Sequence, residues 1–449
     1  MTYEELREKY RNFYYLGYSV KKDADKIYVK YEFETENLAV FKPEWTFRAQ
    51  RDVSLNDKIL QELIFSLGMV ELISYWKIVC PPNVYIKCGG LDDYQMDWWK
   101  KQYFYGLGEF FHTNGIKDVD IDNFMNIIPE GEITAEESAP YTGEGVLIPI
   151  GGGKDSAVTI ELLKDISPRS CYIINPRGAT SDTARIAGFA DEDIITAKRT
   201  LDENMLRLNK EGIYLNGHTP FSAIVAFSAV IEAYLCGRKY IALSNEASAN
   251  ESTVSGSYVN HQYSKSFEFE KDFCEYEGKY IGSGIRYFSL LRVWSEYQIA
   301  GYFAGLKKYH PVFKSCNAGS KKNIWCCSCS KCLFVYLILS PFLSESELVG
   351  IFGENLADKE KLLEDFRKLI GEVPEKPFEC VGSRGEVNTA VCETIAKTEG
   401  KLPFLLRYYK TSPLYEQYKD CSNPYKDYFN TENLIPAELA GVFGQPPQI

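Results

Sequence analysis

The stretch VLIPIGGGKDSAVTIELLKD, Val146 to Asp165, narrows the possible folds more than any other part of the chain. A short apolar run ends in three glycines; Lys154, Asp155 and Ser156 follow, and then an amphipathic segment. The run reads as a buried strand and the segment as a helix. Glycines between them let the backbone fold tightly and turn several N–H groups toward one anion, and the helix N-terminus adds a favourable partial charge. A turn that binds nothing would order three flexible glycines for packing alone.

Two commoner glycine motifs fail here. The nucleoside-triphosphatase loop needs a glycine where Ile148 stands and Ser or Thr where Asp155 stands, and the dinucleotide fingerprint needs glycine where Ser156 stands. The stretch instead resembles the pyrophosphate loop of the N-type ATP pyrophosphatases, Ser-Gly-Gly-x-Asp-Ser. Gly152, Gly153, Asp155 and Ser156 match it, and Gly151 replaces the leading serine. The resemblance implies ATP cleavage between the α- and β-phosphates, with Gly151, Gly152, Gly153, Lys154, Asp155 and Ser156 around the pyrophosphate and Asp155 organising Mg²⁺. In that fold the adenine lies past the second strand, at Asn175 near Thr180 and Ser181; a plain turn is the alternative for those residues.

Strand and helix patterns alternate from Val146 onward. Candidate strands are Val146–Ile150, Ser170–Asn175, Asp193–Ala197, Lys239–Ser244 and Arg286–Leu291, with helical patterns at Phe221–Gly237 and Ser295–Leu306. Such alternation implies an α/β parallel sheet with ligands at the carboxyl ends of its strands. The expected organisation is an N-terminal α+β domain (1–125), an acidic, turn-rich linker (126–145), a parallel-sheet adenine nucleotide alpha hydrolase-like (PP-loop) domain (146–345) and a mostly helical C-terminal extension (346–449). In the first domain, 26–49 alternate like strands joined by turns, Asn56–Val79 and Asp92–His112 read as helices, and NVYIKCGG reads as a short strand. In the last, Lys359–Gly371 reads as a helix before irregular Pro- and Tyr-containing segments, a cap or appended subdomain.

A net charge of −12 argues against a bulk electrostatic grip on nucleic acid. The N-terminus lacks a signal-peptide pattern, and the apolar windows Thr219–Cys236 and Leu333–Leu343 read as buried helices, so no membrane association is expected. Thirteen cysteines, mostly isolated, suit reduced thiols in the cytoplasm. Nothing in the pattern sets an oligomeric state.

One group of cysteines is not isolated. Setting Cys327 aside, Cys316, Cys326, Cys329 and Cys332 form C-x9-C-x2-C-x2-C ahead of an apolar helix, a spacing able to close a tetrahedral Zn²⁺ site. An iron–sulfur or redox role and unliganded thiols are the alternatives. The spacing is similar to the zinc site of the 7-cyano-7-deazaguanine synthases, which are also N-type pyrophosphatases. Lys307, Lys308, Lys314, Lys321 and Lys322 make this region basic, through a solvated face or one turned toward a pyrophosphate.

Further segments carry a closer resemblance: LIFSLGMVELISYWK, WWKKQYFYGLGEFF, SNEASANESTVSGSYVNHQYSKSFEFE and FSLLRVWSEYQIA. With PIGGGKDS and SCN…WCCSCSKC they resemble, over about residues 55–350, the ATP-dependent UDP-N-acetylmuramoyl-L-alanyl-L-glutamate epimerases (MurL) of peptidoglycan synthesis. Ala247 stands where that family has an arginine. The resemblance implies a small-molecule substrate, the UDP-muramoyl dipeptide, whose terminal L-Glu becomes D-Glu through an acyl-adenylate, with release of AMP and pyrophosphate. Capping the carboxylate removes the charge that makes its α-proton so hard to abstract. Candidates for proton transfer are His261, Tyr263 and Lys265, with Glu268 behind them; Asn245 and Glu246 are placed to meet metal or substrate, and Arg292 to hold a phosphate or carboxylate. The competing readings are a PP-loop enzyme acting on nucleobases or tRNA, similar to the deazaguanine synthases, and a non-catalytic nucleotide-binding relative.

Overall fold

The structure, a computed structural model, describes residues 1–254 and 256–443; Ser255 of the 244–270 segment and the last six residues of the C-terminal extension lie outside the described residues. Eleven strands are described: β1 (Asn12–Asp23), β2 (Lys26–Thr35), β3 (Ala39–Phe41), β4 (Glu44–Arg48), β5 (Asn83–Ile86), β6 (Asn126–Pro129), β7 (Val146–Pro149), β8 (Arg169–Ile174), β9 (Ile194–Thr200), β10 (Tyr240–Leu243) and β11 (Arg286–Ser289). They form one sheet in the order β11-β10-β7-β8-β9-β4-β2-β1-β5-β6, with β3 on β2.

All five expected strands from β7 onward are present and pair in parallel. The chain leaves β7 toward β8 and β9, then crosses back to add β10 and β11 on β7's other side. The reversal between β7 and β10 opens a crevice beyond their carboxyl ends, the place where doubly wound sheets bind ligands. The glycines after β7 sit at that switch point.

The N-terminal strands do not form a separate sheet. β4 pairs antiparallel with β9, Thr46 opposite Lys198, so the sheet runs unbroken from the parallel half into the first 130 residues. One core follows it across: Leu147, Tyr172 and Ile195 pack in the same cluster as Tyr31, Trp45 and Trp76. The 126–145 stretch opens with β6 and then runs largely without regular structure. Helix Lys58–Trp76 is long and apolar enough to cross a membrane, but most of it is buried, and it packs on the apolar helix Phe221–Cys236. A helix apolar on all sides belongs inside a core.

Beyond 371, where irregular segments are expected, three helices stand instead: Arg384–Lys397, Phe404–Lys410 and Pro413–Tyr418. Ser383 and Glu386 form a reciprocal capping box at the start of the first. Val387 and Val391 of that helix pack with Leu333, Leu337 and with Val158 from the helix after the glycines. The C-terminal residues therefore share a core with the loop that begins the site.

Candidate active site

β7 ends at Pro149, and the backbone then turns through Gly151–Gly153 into the helix Lys154–Leu162. Gly152 has φ +81°, and a Cβ there would stand 3.0 Å from the backbone of Ala179 and Thr180. At Gly153 a Cβ would meet the Ser315 hydroxyl at 2.6 Å. The left-handed backbone at Gly152 requires glycine, whereas at Gly153 a single rotatable hydroxyl would have to move. Gly151 is freer still: nothing lies nearer its Cβ position than Ser156 Oγ at 3.9 Å. Ser156 Oγ accepts from the Gly151 N–H at 3.0 Å, and the Lys314 N–H donates to the Gly152 carbonyl at 2.8 Å. No side chain caps the following helix, so its first N–H groups remain open to a ligand.

Adjacent Lys154 and Asp155 differ in exposure. Lys154 is buried beneath the loop, where it pairs with Asp155 and, at 2.6 Å, with Glu296. Burial and the nearby Asp155 push Glu296 up to about 8 against the pull of Lys154, and its Oε2 has no hydrogen-bond partner. Burial opposes ionisation of Asp155, but Lys154 and Lys331 hold its carboxyl below the ordinary range. Its side chain stays partly open and lines the crevice.

That crevice is a cavity of about 470 Å³. Of the residues expected to bind ligand or transfer protons, it brings together Gly151, Gly153, Asp155, Ser156, Asn175, Asn245, Glu246 and Lys265. Gly152, Lys154, His261, Tyr263 and Arg292 do not line it. Asn175, at φ +50°, exchanges two 2.9 Å hydrogen bonds with the backbone of Arg199, so its side chain bridges β8 to β9. Asn245 donates to Ser289 Oγ at 3.0 Å. Arg292 is fully buried, bound to Glu270 at 2.8 Å and to the Lys265 carbonyl at 2.7 Å. It holds the backbone of Lys265, and its Nη1 has no hydrogen-bond partner. Tyr263 packs on Tyr105, and burial pushes its unpartnered phenol above the ordinary value. Of the basic residues near the cysteines, Lys314 lines the cavity, whereas Lys307 and Lys308 pair with Glu347 and Glu161.

Several residues of this region carry no local sequence signal. Cys380 comes from the C-terminal part of the chain, and its Sγ accepts from Lys265 Nζ at 3.2 Å. Lys331 lines the same wall and donates to the Cys380 carbonyl. Behind it, His261 lies close enough to the Cys380 thiol to feel its charge and places Nδ1 against Glu109. His218 Nδ1 lies 3.2 Å from the same Glu109 oxygen. Burial opposes charge on His261, yet the nearby Cys380 and Glu109 raise it to about 9; burial and the neighbouring His261 push His218 down to about 4.

Sulfur atoms of Cys316, Cys326, Cys329 and Cys332 all lie within 4.8 Å of one another at the edge of the cavity. Cys332 Sγ is 3.5 Å from Cys329 Sγ and 3.7 Å from Cys326 Sγ. Four sulfurs about 2.3 Å from one Zn²⁺ would sit about 3.8 Å apart, so the arrangement fits that ion. The Gly319 N–H donates to Cys316 at 3.1 Å, the kind of support that metal-bound thiolates receive. Cys327 turns away to the Phe352 carbonyl.

Comparison with known proteins bears on the whole chain. Residues 4–290 match the MurL N-terminal domain and residues 312–411 the MurL C-terminal domain. A UDP-N-acetyl-alpha-D-muramoyl-L-alanyl-L-glutamate epimerase from Xanthomonas oryzae pv. oryzae is 33% identical over 356 residues, covering 77% of each chain. Its counterpart from Salinispora tropica is 33% identical over 324 residues, 70% of this chain and 69% of its own. The Micromonospora protein of the same name is also 33% identical, over 70% of this chain and 71% of its own. No solved structure matches. With both family domains matched and relatives aligned over most of its length, the chain belongs to the MurL family of epimerases.

Proposed function

We propose that this enzyme inverts the terminal L-Glu of UDP-MurNAc-L-Ala-L-Glu to D-Glu by way of an acyl-adenylate, releasing AMP and pyrophosphate. The observation that carries the reading is one cavity with two kinds of wall. On one side stand the glycine loop, an uncapped helix N-terminus and Asp155, suited to a polyphosphate. On the other stand Lys265 and Cys380, groups able to stabilise or move a proton.

The order of events follows from charge. A free carboxylate beside the reacting carbon would acquire a second negative charge on deprotonation; esterified to AMP it becomes an electron sink. The loop N–H groups and the helix N-terminus would hold the leaving pyrophosphate. Asp155 and Glu246, with the unpartnered Glu296 Oε2 near them, fit a Mg²⁺, which would offset the charge of the transferring phosphates. Lys265, kept charged by Cys380 and Glu246 against the cost of burial, would steady the enolate that forms. The four cysteines would hold a structural Zn²⁺ that fixes the turn carrying Ser315 against Gly153. Thirteen cysteines, none joined in a disulfide among the described residues, suit the reducing cytoplasm.

Incubating the protein with ATP, Mg²⁺ and the L-Glu dipeptide in D₂O tests this. AMP, pyrophosphate and D-Glu product with deuterium at the α-carbon are expected; pyrophosphate without α-deuterium would sink the epimerisation. Asp155→Ala should abolish pyrophosphate release with the thermal midpoint preserved, and near-native turnover would refute the loop's role.

A further inference from the structure

We propose that Cys380, as a thiolate, is one of the two groups that exchange the glutamate α-proton, with Lys265 and a His261–Glu109 pair holding it ionised. The inference rests on the epimerase reading above and adds a residue to it.

The first support is elimination. Lys265 faces the cavity but is held as an ammonium and has no free electron pair to accept a proton. His261 is also held protonated, and it stands behind Cys380, outside the cavity lining. Tyr263 is buried away from the cavity. Among these neighbours, the sulfur of Cys380 is the atom that both lines the space and can bear a lone pair at neutral pH.

The second support is how the thiol is surrounded. Lys265 reaches it from the turn 263–265, His261 from the preceding loop and Lys331 from the helix Ser330–Leu339. The carboxylates nearby are Glu379, next in the chain, Glu246 and Asp155 across Lys265, and Glu109, which is engaged with His261. Burial would push the thiol up, but Lys265, His261 and Lys331 bring Cys380 down to about 6. A buried thiolate amid cations matches the working thiols of enzymes, whereas structural buried cysteines have high values. At Cys80 and Cys236 burial outweighs the nearby Arg7 and Lys77, or Arg238, and pushes the thiols well up.

The step balances without an oxidant. The Cα–H bond of the adenylated glutamate breaks, its proton forms an S–H bond on Cys380, and the electron pair passes into the activated carboxyl group as an enolate. A second Brønsted acid of the cavity protonates the opposite face. In the reverse direction the Cys380 S–H returns its proton to the enolate.

The test uses the full-length, zinc-replete protein in D₂O with ATP, Mg²⁺ and each dipeptide epimer separately. For Cys380→Ala and Cys380→Ser, net inversion should fall roughly 10²–10⁴-fold. Pyrophosphate release should persist, and α-deuterium should enter one epimer only. Inversion within tenfold of native, exchange from both epimers, or a thioester on Cys380 of the native enzyme would overturn the proposal. Native protein giving no pyrophosphate from either epimer would overturn the epimerase reading itself, a distinguishable failure. If both variants misfold, alkylation of the native enzyme by iodoacetamide decides. Cys380 should label with a midpoint near pH 6, moving up by a unit or more in Lys265→Met and His261→Gln; a midpoint near 8.5 in all three would refute the thiolate.

Discussion

The two parts of the site that hold cysteines are built on opposite plans. Cys316, Cys326, Cys329 and Cys332 are near one another in sequence and face other sulfurs, with backbone N–H groups around them. Cys380 is remote from its neighbours in sequence, and it faces Lys265, His261 and Lys331. Sulfurs facing sulfurs need a cation between them; a sulfur facing cations is itself held as the anion. Local motifs therefore impose geometry, while the dispersed cluster imposes charge, and each should break by its own kind of substitution.

The largest effect is expected at the four-cysteine site. The binding energy of a structural zinc is folding energy, about 10–16 kcal/mol in zinc-finger peptides, so Cys332→Ala should eliminate bound zinc and cause the greatest stability loss. Elemental analysis and calorimetry check it; purified native protein without zinc would end the assignment. Cys380→Ala should retain the metal and most of the melting temperature, and an equal loss from both substitutions would erase the contrast.

A smaller effect follows from charge. Cys380 lies below its ordinary value, so its ionisation stabilises the native state increasingly as pH rises from about 6 to the ordinary thiol value. His261 lies above its own, so its contribution is present below about 6.5 and is lost as pH rises toward 9. The two oppose each other between about pH 6.5 and 8.5. The native melting temperature should stay nearly flat across that window, whereas Cys380→Ala should lose stability with rising pH only through the part of the His261 shift that Glu109 supplies. Calorimetry at several pH values measures this, and parallel curves for both proteins would break the coupling.

The same division explains what could be read before folding. The five parallel strands, the glycine loop and the cysteine spacing are local patterns, and each is found where its pattern lies. The joining of the sheet is not local: β4 and β9 are some 150 residues apart, and no pattern in either announces the pairing. Cys380 sits in a stretch, PFECVGS, with no periodicity, and only the capping box at Ser383 and Glu386 hints that an ordered helix begins just beyond. Glu109, His218 and His261 meet by tertiary packing of three separate segments. Arg292 and Lys154 were legible as charged residues beside the right strands, but their buried partners Glu270 and Glu296 turn them away from the cavity.

The smallest effects separate geometry from chemistry inside the loop itself. Gly151 departs from the Ser-Gly-Gly-x-Asp-Ser pattern, yet its surroundings leave room for a side chain. Gly151→Ser should therefore change stability by no more than about 0.5 kcal/mol. At Gly152 the left-handed backbone and the close approach of Ala179 and Thr180 forbid a Cβ, so Gly152→Ala should cost about 1–3 kcal/mol and displace the loop. Measured side by side, the two substitutions weigh conformation against the missing hydroxyl. Equal stability for both would mean the loop tolerates any residue. A several-fold gain in pyrophosphate release for Gly151→Ser would instead mean that the hydroxyl contributes to holding the leaving group.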